Sequence, residues 1–383
     1  MYQNKIRILH VIYCMNPGGI ENWLMNLLRF INKDNFKMDF LVHTQKIGVY
    51  DNEIIKLGAN IYRCPYSDKP IKYSLNLKFL IKKHGPYNVI HSHVHHYSGW
   101  VLRSAYQVGI PIRIAHSHSN INELISQSGW VRKGYYLYMK YLVRRYASIG
   151  IAVSKQSARS LFGSKWEADP KWQIIHCGID VDQFKKSVDQ SVVRRKLGIP
   201  SDCLVVGHIG RFSEAKNHFF IIDVFLEIIK IDSSVRLLLV GDGEELINVK
   251  KLALKNGLHK KIIFTGLRSD IAELMLGAMD IFLFPSLWEG LPMAIVEAQT
   301  SGLPCVFSEH IPPEAEILPQ LLYRMQLSKG AKEWAEKIID IYNMKQRGKI
   351  SQRETVPRVI NSPFNFNAGR EKLESIYNRN NPF

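Results

Sequence analysis

The richest chemistry in this 383-residue chain is carried by Pro285-Ser-Leu-Trp-Glu289-Gly-Leu-Pro292-Met-Ala-Ile-Val-Glu297-Ala. Glu289 stands in a Gly/Pro loop, and Glu297 in the helix that follows. A strand–loop–helix of this kind directs backbone N–H groups and a helix N-terminus at one place, which suits anions and hydroxyls. A carboxylate there accepts hydrogen bonds from the diol of a ribose or hexose, each worth about 1.5–3 kcal/mol. Upstream, Gly210-Arg211-Phe-Ser-Glu-Ala-Lys216-Asn217 follows a strand directly. Glycine lets the backbone come close to a ligand. Paired cations at a strand end suit a diphosphate, which arginine can grip bidentately. A third segment, Asn16-Pro17-Gly18-Gly19-Ile20-Glu21, could cradle a phosphate or leave room for an acceptor, but it lacks G-x-G-x-x-G spacing. Taken singly, each segment is more often surface charge or an ordinary turn.

These segments need elements to hold them. Apolar runs at 6–13, 38–42, 60–63, 89–92, 113–116 and 149–153 read as strands. Residues 21–30 read as a helix with Trp23, Leu24, Leu27 and Leu28 on one face. A second series repeats the pattern, with strands at 204–209, 235–240, 261–264, 281–284 and 304–307 and helices at 219–230 and 293–301. Strands separated by helices predict parallel sheets covered on both faces. The expected class is α/β: two doubly wound, Rossmann-like domains facing a cleft at the C-terminal ends of their strands. The boundaries read 1–178, 179–345 and a polar, basic tail 346–383, whose residues 370–377 form a last helix packing back on the first domain.

The composition is ordinary for a globular protein, with 46% hydrophobic residues. No apolar run reaches the roughly 18–20 residues that span a bilayer. The run after Lys5 and Arg7 is too short for a signal peptide, so the expected location is the cytoplasm. Five cysteines with no C-x-x-C pair read as reduced, mostly buried thiols rather than a disulfide framework or zinc ribbon. Charge is uneven. Residues 1–178 hold 24 Lys+Arg against 9 Asp+Glu, a balance of +15, and the remainder holds 27 against 25. So basic a half implies an anionic partner: nucleic acid, anionic lipid or a phosphorylated substrate. Within it, Trp130–Tyr146 has five basic residues, six aromatics and no acid. That composition suits an anionic membrane surface; the alternative is an amphipathic helix packed on the sheet.

Together, the Glu289/Glu297 spacing, the Gly210–Asn217 segment, the Gly18-Gly19-Ile20-Glu21 turn and two sheet domains resemble glycosyltransferase family 4, with its GT-B fold. The resemblance covers about residues 5–310, with Pro285-Ser286, Glu289-Gly290, Glu297-Ala298 and Gly302-x-Pro304 in the family's order. Residues 113–118 and 207–212 look most like bacterial capsular and exopolysaccharide enzymes. The resemblance implies a retaining hexosyltransferase that uses a nucleotide-sugar donor, by preference a UDP-sugar. Arg211 and Lys216, beside Gly210, would hold the diphosphate, and Glu297 the ribose. Glu289 would contact the transferred sugar, with the backbone at Leu291, Pro292 and Met293. Leu267 and Arg268 would lie at the base. Gly18, Gly19 and Glu21 would border the phosphates and the acceptor. His118 matches the family histidine near the anomeric centre, and His116 is the second candidate.

The implied acceptor is a lipid-diphosphate-linked or oligosaccharide chain, which places the enzyme peripherally on the inner face of the membrane. No metal, other cofactor or nucleic acid is expected. Retention usually calls for a nucleophilic carboxylate. The family offers none well placed, so the implied mechanism is front-face, with the leaving diphosphate helping to deprotonate the acceptor hydroxyl. Two residues depart from the family pattern: Cys177, in a loop where the change is expected to be inconsequential, and Ser119, where an acid often follows the catalytic histidine.

His91, His93, His95 and His96 crowd one segment, but no cysteine or acid accompanies them. They read as cleft-lining or helix-start histidines rather than a metal site. Three rival functions stand beside the transferase. A UDP-N-acetylglucosamine 2-epimerase shares the fold but fits the glutamate context poorly. A nucleic-acid-binding protein has charge alone in its favour. An inactive scaffold of polysaccharide assembly is opposed by the presence of Arg211, Lys216, Glu289 and Glu297 together.

Overall fold

The computed structural model describes residues 5–345 and 352–379. The chain divides into two compact units, one ending at Cys177 and resumed from Asn367, the other running from Gly178 to Phe366. The first contains a seven-stranded sheet of β1 (Ile6–Ile12), β2 (Phe36–Val42), β3 (Ile61–Arg63), β4 (Val89–Ser92), β5 (Ile112–Ser117), β6 (Ile149–Ala152) and β7 (Trp172–Ile174). Their spatial order is β3-β2-β1-β4-β5-β6-β7. The second contains β8 (Val205–Ile209), β9 (Arg236–Val240), β10 (Ile262–Gly266), β11 (Ile281–Phe284), β12 (Cys305–Ser308) and β13 (Leu322–Met325), in the order β10-β9-β8-β11-β12-β13. Neighbouring strands pair in parallel throughout.

Helices cover both faces, so central strands such as β4, β11 and β12 are buried along their whole length. The helix Gly19–Phe30 buries Trp23, Leu24, Met25, Leu27 and Leu28 against the first sheet. In each unit the strand order reverses once, between β1 and β4 and between β8 and β11. At such a switch the loops leaving the two strands diverge to opposite faces and open a crevice at the carboxyl ends.

The short edge strands β7 and β13 have no counterpart in the sequence reading. Trp-Gln-Ile and Leu-Tyr-Arg-Met are too short and mixed to show a period, and pairing with β6 and β12 makes them strands. The tail is not a separate domain. The helix Gln352–Ile360 joins the second unit, where the Thr355 hydroxyl donates to the Thr300 carbonyl at 2.7 Å. From Asn367, the helix Phe366–Tyr377 joins the first, where Arg370 donates to the Phe30 carbonyl at 2.9 Å and Tyr377 is buried. Residues 346–351 lie outside the described residues.

One buried ion pair ties the starts of β8 and β11. Arg194, in the helix Gln190–Lys196, donates to Asp280 at 2.7 Å, and the Val205 N–H donates to the same carboxylate oxygen at 2.9 Å. The guanidinium also donates to the carbonyls of Ser201, Cys203 and Ala278. Asp280→Ala would leave a buried cation without its counter-ion, so we expect a loss of about 3–5 kcal/mol. Urea unfolding monitors this; an unchanged midpoint would show that the pair is dispensable.

Candidate functional site

The second unit brings Lys216 and Glu289 together at the β8–β11 switch. Val206 pairs with Ile281 and Gly207 with Phe282, so both strands end on the same edge of the sheet. The loops that follow are joined by the Leu287 N–H donating to the Ala215 carbonyl at 2.8 Å and the Asn217 amide donating to that of Pro285 at 3.2 Å. Between them, Lys216 Nζ meets the Glu289 carboxylate at 2.5 Å and lies 4.6 Å from the Phe284 ring centroid. Both charged side chains are largely buried. Asn217, at φ 56°, turns the chain into the helix His218–Ile231.

The loop after β9 closes on the same place. Gly241 has φ +142°, and a Cβ there would lie 2.0 Å from the Gly210 carbonyl oxygen, so no side chain fits. Arg211 is exposed and donates to Glu244 at 3.2 and 3.3 Å. Leu267 is exposed after β10, while the Arg268 guanidinium is committed to Asp270, with Nε 2.8 Å from Oδ1. Pro292 is buried at the start of the helix Met293–Thr300, flanked by half-buried Leu291 and Met293. Glu297 lies in that helix, half-buried, and burial raises its carboxyl from the ordinary 4.5 to about 7.

Sequence reasoning missed three residues here. Glu244 carries no motif of its own and is found by Arg211 only across two loops. His208 and His218 lie close to Lys216 with ring centroids 4.8 Å apart. Burial, reinforced by neighbouring positive charge, holds His208 well below the usual imidazole range and lowers His218 to about 3. Both are neutral, leaving Lys216 as the cation among them.

In the first unit, Gly18 precedes the helix Gly19–Phe30, and a Cβ on it would lie 2.4 Å from Glu21 Oε2. Gly19 is exposed with open space before it. His118, just past β5, is half-buried; its Nε2 faces His93 Nδ1 at 2.9 Å, and burial, then the nearby His95, lowers it to about 3. His116 corrects an expectation. It is fully enclosed, its ring 5.4 Å from that of Trp23 and its Nδ1 3.1 Å from His91 Nε2, so it faces the core rather than a substrate. His91 and His93 are likewise core residues, whereas His95 and His96 open a short 3-10 turn. Cys177, the loop departure, has its Sγ 3.9 Å from His118 Nδ1.

The family description "Glycosyltransferase Family 4" matches residues 17–183, and "Glycosyl transferases group 1" matches residues 189–355. The chain is 32% identical to the putative glycosyltransferase EpsF of Bacillus subtilis over 88% of each chain. It is 26% identical to the capsular polysaccharide biosynthesis glycosyltransferase CapH of Staphylococcus aureus, over 97% of this chain and 98% of that one. It is 28% identical over 80% of each chain to the UDP-Gal:alpha-D-GlcNAc-diphosphoundecaprenol alpha-1,3-galactosyltransferase of Escherichia coli. Among solved structures, Anabaena HepE in complex with UDP and glucose superposes with a TM-score of 0.79 at 19% identity, covering 97% of this chain and 98% of that one. The fold is GT-B.

Glu297 makes the site testable without substrate. Its folded state favours the protonated carboxyl, so the stability linked to it is complete below about 4.5 and is lost as pH rises through about 7. Glu297→Gln should therefore stabilise the protein at pH 8, by up to about 3 kcal/mol, with no gain near pH 4.5. Melting curves across that range decide it; a difference independent of pH would overturn the assignment.

Proposed function

The chain belongs to glycosyltransferase family 4, and from that premise we propose that it is a retaining hexosyltransferase of bacterial capsule or exopolysaccharide synthesis. The proposed donor is a UDP-sugar. The proposed acceptor is a lipid-diphosphate-linked or oligosaccharide chain. The observation that carries the reading is the contact of Lys216 with Glu289 at the β8–β11 switch, close to the end of the strand that presents Arg211. A diphosphate arriving there would take over the lysine's charge and free Glu289 for sugar hydroxyls. Arg211 and Lys216 would then stabilise the charge that develops on the leaving oxygen, in a setting that needs little reorganisation.

Glu297 would accept from the ribose diol, which favours its ionised form. Glu289, tied to a cation, is poorly placed to act as a nucleophile, which supports a front-face reaction in which the leaving diphosphate takes the acceptor's proton. His118 would offer a neutral imidazole near the anomeric carbon. The galactosyltransferase relative, whose name specifies UDP-Gal and a diphosphoundecaprenol-linked sugar, supports both donor and acceptor classes. No step requires a metal or other cofactor.

Peripheral docking on the inner face of an anionic membrane completes the reading. The helix Trp130–Tyr146 buries Met139, Leu142 and Val143 but exposes Trp130 and Leu137, at 85% and 68%, beside Arg132, Lys133, Arg144 and Arg145. Aromatic, apolar and basic groups on one exposed helix suit a lipid interface, each cation adding about 1 kcal/mol. Among the described residues, no helix is long and apolar enough to cross a membrane.

Three outcomes follow. Lys216→Ala should lower turnover, read as released nucleotide with a lipid-linked acceptor, on the order of 10²-fold or more while the protein stays folded by circular dichroism; near-normal turnover would sink the assignment. UDP should raise the melting temperature more than GDP, ADP or single-stranded DNA, and its affinity should fall as pH drops through about 7 and Glu297 protonates. The protein should float with anionic but not neutral liposomes, and lose that in a Trp130→Ser, Leu137→Ser double variant; failure to float with either lipid would remove the docking proposal.

A further inference from the structure

Five histidines share one face of the first sheet. His10 lies on β1, His91 and His93 on and just past β4, and His116 and His118 on and just past β5, three adjacent strands whose alternation turns these side chains the same way. Trp23 and Tyr377 cover them. One nitrogen from each of His93, His116 and His118 lies within 4.8 Å of the others.

Their hydrogen bonds sort the six ring nitrogens of these three into two sets. The outward set is engaged: His93 Nε2 faces His10 Nδ1 at 3.0 Å, and His116 Nδ1 faces His91 Nε2 at 3.1 Å. The chain of contacts continues from His91 Nδ1 to the Tyr377 hydroxyl at 2.8 Å, and His118 Nδ1 has Cys177 Sγ 3.9 Å away. The inward set is poorly served. His93 Nδ1 and His118 Nε2 point at each other at 2.9 Å and must share a single proton, while His116 Nε2 is buried without a hydrogen-bond partner among the described residues. An orphaned buried nitrogen is costly.

We propose that His93, His116 and His118 form a tri-histidine site for a zinc-class transition dication such as Zn²⁺ or Co²⁺. The ion replaces the proton between His93 and His118 and gives His116 Nε2 a partner. Tetrahedral bonds of about 2.0–2.1 Å set ligand nitrogens roughly 3.3 Å apart, so His93 Nδ1 and His118 Nε2 part slightly from 2.9 Å to admit the ion, and three imidazoles leave a fourth position for an exchangeable ligand. The outward contacts give each ring's other nitrogen a partner, an imidazole for His93 and His116 and the Cys177 thiol for His118, and so orient the rings as such partners do around a bound metal. His10, His91 and His93 also converge, but all three are fully enclosed, whereas half-buried His118 offers a way in. The two sets share His93, so a single ion is expected. Both ring nitrogens of His95 are engaged elsewhere: His95 Nδ1 faces His96 Nδ1 at 2.6 Å, and its Nε2 faces the Ser119 carbonyl.

This site lies within the first unit and does not depend on the transferase reading. If both hold, the ion withdraws His118 from the sugar, and chelation restores turnover.

The test uses the full chain, stripped with EDTA and titrated with Zn²⁺ and Co²⁺. One zinc per chain should survive gel filtration, and Co²⁺ should give the strong visible absorption of four-coordinate nitrogen ligation. His116→Gln and His118→Gln should each abolish both signals, while His95→Gln keeps them. Circular dichroism and urea midpoints without metal show whether each variant is folded, and His118→Gln, at the less enclosed end, provides the second chance. No retained zinc in the wild type, or undiminished binding in a folded His118→Gln, overturns the proposal. The UDP melting shift of stripped protein is read separately, so loss of one reading leaves the other standing.

Discussion

β8 and β11 lie side by side although a long stretch of chain, including β9 and β10, separates them in sequence. Their parallel pairing, anchored at its start by Arg194 and Asp280, makes both strands end on one edge. The meeting of Lys216 with Glu289 depends on that constraint. Lys216 reaches its position at the end of a short turn after β8, and Glu289 in a Gly/Pro loop after β11. Neither loop is rigid by composition alone; cross-links between the loop backbones hold them. The same geometry explains why Gly241 must lack a side chain, since the loop from β9 passes directly against Gly210.

Charge is then distributed by burial. The neighbouring imidazoles of His208 and His218 are held neutral, so the local positive charge belongs to Lys216, balanced by Glu289. Eight residues further along the chain, Glu297 is kept at a cost in stability, a carboxyl that ionises near neutrality with burial as its dominant influence. The glutamates, which read from sequence as an equivalent pair, therefore differ in state: one is ion-paired and the other is partly protonated at neutral pH.

The first unit is built on a different principle. Its sheet turns a row of imidazoles inward, under Trp23 and Tyr377, where apolar residues would ordinarily pack. Their satisfaction depends on one another, and on a tyrosine from the C-terminal helix that returns to this unit. Cys177 belongs to the same assembly, although its place in the chain marks it as a linker residue.

Much was legible in the sequence. The alternation of apolar runs with amphipathic stretches determined two parallel α/β sheets, because strands buried on both faces read as near-continuous apolar runs. The glycines and charges after 209 and 284 marked the ends of two such strands, and their types are those that suit phosphate and hydroxyl groups. What the sequence could not determine was which strand ends are neighbours, since parallel pairing is set by long-range packing and not by local pattern. The tertiary structure alone decided that Lys216 meets Glu289, that Arg211 is shared with Glu244, that His116 faces the core while His118 keeps an open side, and that the tail is divided between the two units. Each follows from contacts between residues far apart in the chain, whose energy no local run of residues encodes.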